Sequence, residues 1–218
     1  MKRILLIYLF IFFAFNAFNQ IGIKAAYLSS DFSNIERDII SDSRVDIFSN
    51  GFMTGLYYSI GINGKGINLL PEIGIGFYNS IAALNPYKLQ QIFIGVPVKF
   101  YPLNLEGDCG CPDFSLRNKF FEKHFFMFFN NAVFYNGKSM TNDENQVWDN
   151  YFSFKIGLGA GITIPLTQII RVEPFLSYNW GFNDKWVPAM LNGERVEAKS
   201  INYTQSEFGI RLGVVIDR

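Results

Sequence analysis

Long runs of alternating apolar and polar residues restrict the fold of this chain more than any other feature. Residues 170–182 read IRVEPFLSYNWGF, with apolar or aromatic residues at the even positions and Arg171, Glu173 and small residues among the odd ones. Successive side chains of a β-strand point to opposite faces, so this run predicts a strand with one broad apolar face. The pattern recurs in seven other runs, which are residues 21–28, 52–62, 67–77, 90–100, 125–135, 151–164 and 201–217.

The length of these runs indicates what their apolar faces meet. Strands in soluble sheets are usually about five or six residues long, whereas a tilted strand needs roughly 9 to 11 residues to cross a bilayer, as most of these runs have. The sequence therefore predicts an all-β fold, an eight-stranded antiparallel up-and-down transmembrane β-barrel. Its apolar side chains would meet lipid and its polar ones would fill the lumen. In residues 125–135 Phe falls on both faces, so the register of that strand stays open.

The first residues predict export. Lys2 and Arg3 precede an apolar run from Ile4 to Phe15, which fits a signal peptide over residues 1–19 and is short for a spanning helix. The cleavage point would lie between Ala17 and Gln20, and residues 20–218 would form one barrel domain. An exported membrane protein without spanning helices must close its sheet, because lipid offers unpaired backbone groups no partner. The predicted location is therefore the outer membrane.

Charge excludes one class of partner and predicts a lumenal network. The chain has 19 basic and 19 acidic residues, so it lacks the basic excess of a nucleic-acid-binding protein. Charges buried in a barrel are costly unless paired, so we expect Arg171 or Arg211 to meet Glu173 or Glu207. An eight-stranded barrel is just wide enough for side chains to fill it, which argues against an open pore. The predicted lumenal charges are Lys24, Glu72, Lys99, Lys155, Arg171, Glu173, Glu207 and Arg211.

Four long polar connections are predicted on the external side, at residues 29–50, 79–89, 136–150 and 183–200. The segment 103–123 would be periplasmic, and it breaks the rule that periplasmic turns are short. Its Cys109 and Cys111 are two residues apart, so they could close a small disulfide ring, remain two thiols, or supply at most half of a zinc site.

Other motifs carry little chemistry. His124 is the only histidine, and no nucleophile elbow, phosphate loop or metal signature accompanies it, so we expect no catalytic site, cofactor or metal. Aromatic rings near strand ends are predicted at the lipid headgroup level. They are Tyr57, Tyr78, Tyr101, Trp148, Tyr178, Trp180 and Trp186.

The chain resembles the PorT-like outer-membrane β-barrel proteins, often labelled porin family. The resemblance rests on IGIKAAYLSSDFS after the signal, and on LLPEIGIGFYNS, IGVPVKFYPL, KIGLGAGI and VEPFLSYNWGF. It implies an eight-stranded barrel in the outer membrane of a diderm bacterium, in a family where some members take part in type IX secretion. The chain departs from outer-membrane barrels that end on an aromatic residue, because it ends VVIDR.

These features predict a non-enzymatic barrel with a structural or accessory role. Its partners would be outer-membrane lipid, the barrel assembly machinery and an envelope protein that contacts the external loops or residues 103–123. Two alternatives stay open at this point. A lipid-modifying hydrolase on a small barrel would need a Ser and His124 at one membrane level, and an exported soluble calyx would turn its apolar faces inward.

Overall fold

The computed structural model describes residues 19–31, 50–62, 66–79, 87–102, 124–141, 146–186 and 199–216. These form eleven strands, and none of them forms a helix long and apolar enough to cross a membrane. The strands are β1 Asn19–Asp31, β2 Asn50–Ile62, β3 Ile67–Leu69, β4 Glu72–Asn79, β5 Tyr87–Gly95, β6 Val98–Phe100, β7 Phe125–Thr141, β8 Gln146–Ile162, β9 Ile164–Pro165, β10 Ile170–Trp186 and β11 Lys199–Ile216.

The strands close into one antiparallel ring of eight positions. Each wall strand pairs with its neighbour along the chain, and β1 pairs with both β2 and β11, which closes the ring. Three of the eight wall strands are interrupted, so that each consists of two shorter strands. These pairs are β3 and β4, β5 and β6, and β8 and β9. The predicted eight-stranded up-and-down barrel is confirmed.

Two of the interruptions coincide with prolines, which cannot donate to a strand ladder. Pro71 separates β3 from β4, and Pro97 separates β5 from β6. Their carbonyl groups still accept hydrogen bonds, from the backbone N of Tyr58 to Pro71 at 3.0 Å and from the backbone N of Leu70 to Pro97 at 2.8 Å. The wall therefore stays connected across both breaks.

The barrel is apolar outside and polar inside. Along β2, Phe52 is 50% exposed and Leu56 is 58% exposed, whereas the residues that directly follow them, Met53 and Tyr57, are buried. The outward residues from Phe52 to Ile62 make an apolar belt about 26 Å tall, from a rise of about 3.4 Å per residue and a tilt near 40°. The soluble-calyx alternative is wrong, because its apolar side chains would line the interior.

Burial also settles the register that the sequence left open. In β7 the rings of Phe126, Phe128 and Phe134 are buried in the lumen, whereas Phe129 is 41% exposed on the outer wall. Phenylalanine can occupy either face, since the lumen contains apolar layers as well as charges.

We call the rim that contains Asn19, Ile62 and Ile216 the lower rim, and the opposite one the upper rim. At the upper rim β7 continues to Thr141 and β8 begins at Gln146, so most of the predicted connection 136–150 is strand. Likewise, the first residues of the predicted connection 183–200 belong to β10, and its last two belong to β11. These predicted connections were too long, because polar residues above the belt can still pair as strands.

The wall divides near the upper rim. The described ladder between β8 and β10 ends at the pair Phe154 and Phe182. Beyond it Asn183 has a φ of 57°, and β10 shifts register against β11 between Gly181 and Asp184. Above this point the described part of β8 pairs with β7, and that of β10 pairs with β11. Above this point β8 and β10 are therefore joined by side-chain contacts instead of a ladder, from the Tyr151 hydroxyl to Asp184 and from the Asn183 amide to the backbone carbonyl of Phe152 at 3.4 Å.

Candidate functional site

The polar lumen is the candidate functional site, and its centre is a set of buried charges. Lys24, Glu173, Glu207 and Arg211 are each no more than 1% exposed. The pairing register places Arg211 directly opposite Lys24 on β1 and Glu173 on β10. Because all three have inward parity, the alternation of each strand brings these charges to one level of the lumen.

Lysines make the ion pairs among the described residues. The Nζ atom of Lys24 lies 3.2 Å from an oxygen of Glu72 and 2.8 Å from an oxygen of Glu207. The Nζ atom of Lys99 lies 2.8 Å from the Oε1 atom of Glu173, which also accepts a hydrogen bond from the Thr163 hydroxyl at 3.1 Å. These pairs join β1 to β4 and β11, and β6 to β10.

The predicted pairing of an arginine with a glutamate is wrong for the described residues. Arg211 lies between two rings, with its guanidinium carbon 4.4 Å from the centroid of Phe175 and 4.7 Å from that of Phe128. Its three guanidinium nitrogens have no hydrogen-bond partner among those residues. A planar guanidinium can stack on aromatic faces, whereas a flexible lysine can reach across the lumen to a carboxylate.

Arg171 and Lys155 lie apart from the ion pairs. Arg171 is half-buried near the lower rim, opposite Pro165 and Gly213, and it makes no ion pair with any described residue. Lys155 is buried, donates a hydrogen bond to Gln205, and places its Nζ atom 4.2 Å from the ring centroid of Phe134.

Glycines make room for the large lumenal side chains. Gly55 and Gly74 are directly paired on β2 and β4, and a Cβ atom on Gly74 would lie 2.6 Å from the ring of Phe93. That ring in turn lies 5.7 Å from the Nζ atom of Lys24. The small residues of the polar faces are therefore needed for the rings and charges to fit.

Neutral polar residues complete the lumen, and sequence reasoning did not assign them to the network. Asn130 donates to Asn179 at 2.9 Å, and Asn179 donates to Ser177 at 3.1 Å. Gln91 donates to Asn136 at 2.6 Å. All five are buried, and their inward parity was the signal that could have included them. Gln205 also donates to the hydroxyl of Tyr78.

An apolar layer lies beside the charges. Ala26, Phe126, Phe128 and Phe175 form a buried cluster, against which the partly buried Tyr101 packs. The rings of Phe128 and Phe175 meet edge to face, 5.7 Å apart. The lumen therefore places aromatic rings in contact with the buried cations, as Phe126 is with Lys99 and Phe175 with Arg211.

The prediction that these aromatic rings lie at the headgroup level is wrong for two residues and stays a prediction for the others. Tyr178 and Trp180 face outward, 46% and 39% exposed. Tyr57 and Tyr78 point into the lumen and are 2% exposed, and Tyr57 accepts a hydrogen bond from Gln20 at 3.0 Å. Tyr101 is partly buried, with its hydroxyl 3.2 Å from that of Thr163. The side chains of Trp148 and Trp186 lie outside the described residues.

Of the remaining candidates, the structure describes only His124, which lies at the lower rim. His124 directly precedes β7, and its backbone carbonyl accepts a hydrogen bond from the backbone N of Thr163 at 2.8 Å. Cys109 and Cys111, with the rest of residues 103–123, lie outside the described residues. Within the described ranges, no group of three or more His, Cys, Asp or Glu side chains is placed to hold a metal ion.

Several solved structures are similar to this chain. Neisserial surface protein A matches with a TM-score of 0.49 and 13% identity, covering 91% of this chain and 97% of that one. Ail, the attachment invasion locus protein of Yersinia pestis, matches with a TM-score of 0.46 and 9% identity, covering 92% and 97%. The N-terminal β-barrel domain of Pseudomonas aeruginosa OprF matches with a TM-score of 0.41 and 10% identity, covering 91% and 99%.

No protein-family model and no curated protein matches the chain. The fold assignment therefore rests on the strand pairing and burial of the chain itself. A closed antiparallel ring with an apolar belt outside and polar side chains inside is the architecture of outer-membrane β-barrels. This architecture places the protein in the outer membrane.

Proposed function

We propose that the protein is a small outer-membrane barrel with a side-chain-filled lumen and a structural or accessory role in the envelope. It is not an open conducting porin. The observation that supports this best is the burial of Lys24, Lys99, Lys155 and Arg211, each at most 2% exposed in the lumen. A water-filled channel would leave such groups solvated, whereas here rings and carboxylates surround them.

Conductance tests the filled lumen. The folded protein, reconstituted into planar lipid bilayers, is expected to give no stepwise current, because rings and ion pairs close its cross-section. Folding is checked first by the change in gel migration on heating. The matched variant is Phe128→Ala combined with Phe175→Ala, which removes two rings of the apolar layer and should permit leakage. Regular current steps from the folded, unmodified protein would contradict the proposal.

The PorT-like relationship is part of this proposal. The motif IGVPVKFYPL contains the interruption at Pro97, and LLPEIGIGFYNS contains the one at Pro71. KIGLGAGI lies in β8, and VEPFLSYNWGF lies in β10 with its charged Glu173 turned inward. Membership would make an accessory role in secretion or assembly the natural one, with the barrel assembly machinery as the partner during insertion.

Cross-linking in cells tests the accessory role. Photoreactive residues placed singly within residues 29–50, and separately within residues 103–123, are expected to capture one envelope protein reproducibly. The control is the same residue at Leu56, which is 58% exposed on the lipid-facing wall and should capture a different set. If both segments yield only what the control yields, the accessory role is excluded and a purely envelope-stabilising role remains.

The proposal contains no catalytic role. Lys24 and Lys99 form ion pairs with the three lumenal glutamates, as in structural ion-pair networks. A lipid-modifying hydrolase would depend on His124, so replacing that residue by alanine separates the two functions.

A further inference from the structure

The apolar belt is not equally tall around the barrel. On β10 the outward apolar residues run from Ile170 to Phe182, which are 36% and 38% exposed, and they span about 31 Å. On the neighbouring β11 they run from Phe208 to Ile216, which are 53% and 48% exposed, and they span about 21 Å with the same rise and tilt. The belt is therefore about 10 Å shorter on β11.

The shortening lies at the upper edge of the belt. At the lower rim β10 and β11 end together, because Ile170 pairs with Val214 and the backbone N of Val215 donates to the carbonyl oxygen of Ile169 at 2.8 Å. Tilting the barrel would raise or lower both strands nearly alike, since neighbouring strands lie about 5 Å apart. A tilt of the whole barrel therefore does not remove the difference.

Polar side chains replace apolar ones at the upper edge of β11. Thr204 and Ser206 have outward parity there. Ser29 on β1 pairs with Ser206, and it also pairs with Asn50 on β2. The outward side chains of three neighbouring strands thus make one continuous surface, which we call the upper polar patch. It consists of Ser29, Asn50, Asn202, Thr204 and Ser206, all exposed or half-buried.

The wall at the height of this patch is apolar on the other side of the barrel. Ser206 pairs with Tyr178, whereas Phe154 on β8 pairs with Phe182, which lies further up β10. Phe154 is nevertheless 42% exposed as part of the apolar belt. A bilayer of uniform thickness that covers Phe154 would therefore place the patch in hydrocarbon as well, where hydroxyl and amide groups lose their hydrogen bonds to water.

We propose that the upper leaflet is thinner beside β11, β1 and β2 than beside β8 and β10. Lipid headgroups and water then reach the upper polar patch, while acyl chains still cover Phe154 and Phe182. A bilayer thins at a modest cost to match a short hydrophobic surface. Tyr178 and Trp180 border the patch on β10, and their amphipathic rings suit the boundary between hydrocarbon and headgroups.

The inference rests on the membrane location of the barrel, and the first experiment tests both. In a chain with Cys109→Ser and Cys111→Ser, single spin labels are attached at Ser206→Cys or Phe154→Cys, and the protein is folded into phosphatidylcholine vesicles. Collisions of each label with oxygen, which dissolves in hydrocarbon, are compared with collisions with a water-soluble nickel chelate. The label at Ser206 should collide with the chelate several times more often than the label at Phe154.

A second measurement needs no label. Ser29→Leu, Thr204→Leu and Ser206→Leu together make the patch apolar, and Ala25→Leu is the matched control at an exposed position inside the belt. Urea unfolding is followed in vesicles of shorter and longer acyl chains. The unfolding midpoint of the unmodified protein and of the control should fall as the chains lengthen, and that of the triple variant should fall less.

A Ser206 label as dry as the Phe154 label overturns the thinning and leaves the membrane barrel intact. A triple variant whose midpoint falls as steeply as that of the control overturns the thinning in the same way. A Phe154 label as wet as the Ser206 label overturns the membrane location and the thinning together.

Discussion

Removing Lys24 alone should destabilise the barrel more than removing Lys24 together with its two glutamate partners. Lys24 is 1% exposed and is the ion-pair partner of both Glu72 and Glu207. Lys24→Met keeps much of the length and volume of the side chain, but it leaves the two buried carboxylates without the lysine ammonium as an ion-pair partner. Breaking a buried ion pair from one side costs about 3–5 kcal/mol, because the remaining charge stays desolvated. We expect a loss of that size in the free energy of unfolding.

The triple variant Lys24→Met, Glu72→Gln and Glu207→Gln removes the stranded charges as well. Replacing every member of a buried ion pair by neutral groups of similar volume is often close to neutral. This variant should therefore recover most of what the single substitution loses. Urea titration of the barrel in lipid vesicles, followed by tryptophan fluorescence, measures both values.

Two outcomes would refute this reasoning. A single-variant loss within the roughly 0–1 kcal/mol of an exposed ion pair would mean that water reaches Lys24. A triple variant as unstable as the single one would mean that Lys24 acts through packing against Phe93 and Phe175 instead of through charge.

Four further perturbations test other parts of the barrel. Leu212→Lys on the outer wall should cost about 2–4 kcal/mol in vesicle unfolding, against about 0–1 for Ser206→Lys nearer the upper rim; equal costs would argue against lipid contact. Gly74→Ala should cost about 1–3 kcal/mol, because the added Cβ atom would crowd the backbone carbonyl of Thr54 and the ring of Phe93. Phe128→Ala should cost about 3–5 kcal/mol, because it leaves a cavity in the buried apolar layer. His124→Ala should leave lipid composition unchanged by mass spectrometry; an altered composition would favour the hydrolase.

The alternation of inward and outward side chains along each strand made the barrel predictable from the sequence. The run containing Arg171 and Glu173 alternates so regularly that the inward face of β10 could be assigned residue by residue, and Glu173 is indeed buried. Because each wall strand pairs with its sequence neighbours, the order of strands followed from their number alone. The proposal of a side-chain-filled interior rests on that number as well.

Contacts across the lumen could not be predicted in the same way. Lys99 and Glu173 lie 74 residues apart in the chain, on strands that are not neighbours. Parity says that both side chains point inward, but their meeting depends on the stagger of every strand between them. Tyr57 was misplaced for a different reason: its position after the outward Leu56 already indicated the lumen, where its ring lies beside Gln20, but the preference of aromatic rings for the headgroup level was given more weight.

The division of the wall above Phe154 and Phe182 has a consequence for how the surface of this protein can change. Since no described β8–β10 ladder continues there, a peptide grafted between Thr141 and Gln146 would pull on β10 only through side-chain contacts such as that of Tyr151 with Asp184. The ring below closes through pairs that such a graft does not touch. Evolution, or an engineer, could therefore change the connection between Thr141 and Gln146 while the membrane anchor stays constant.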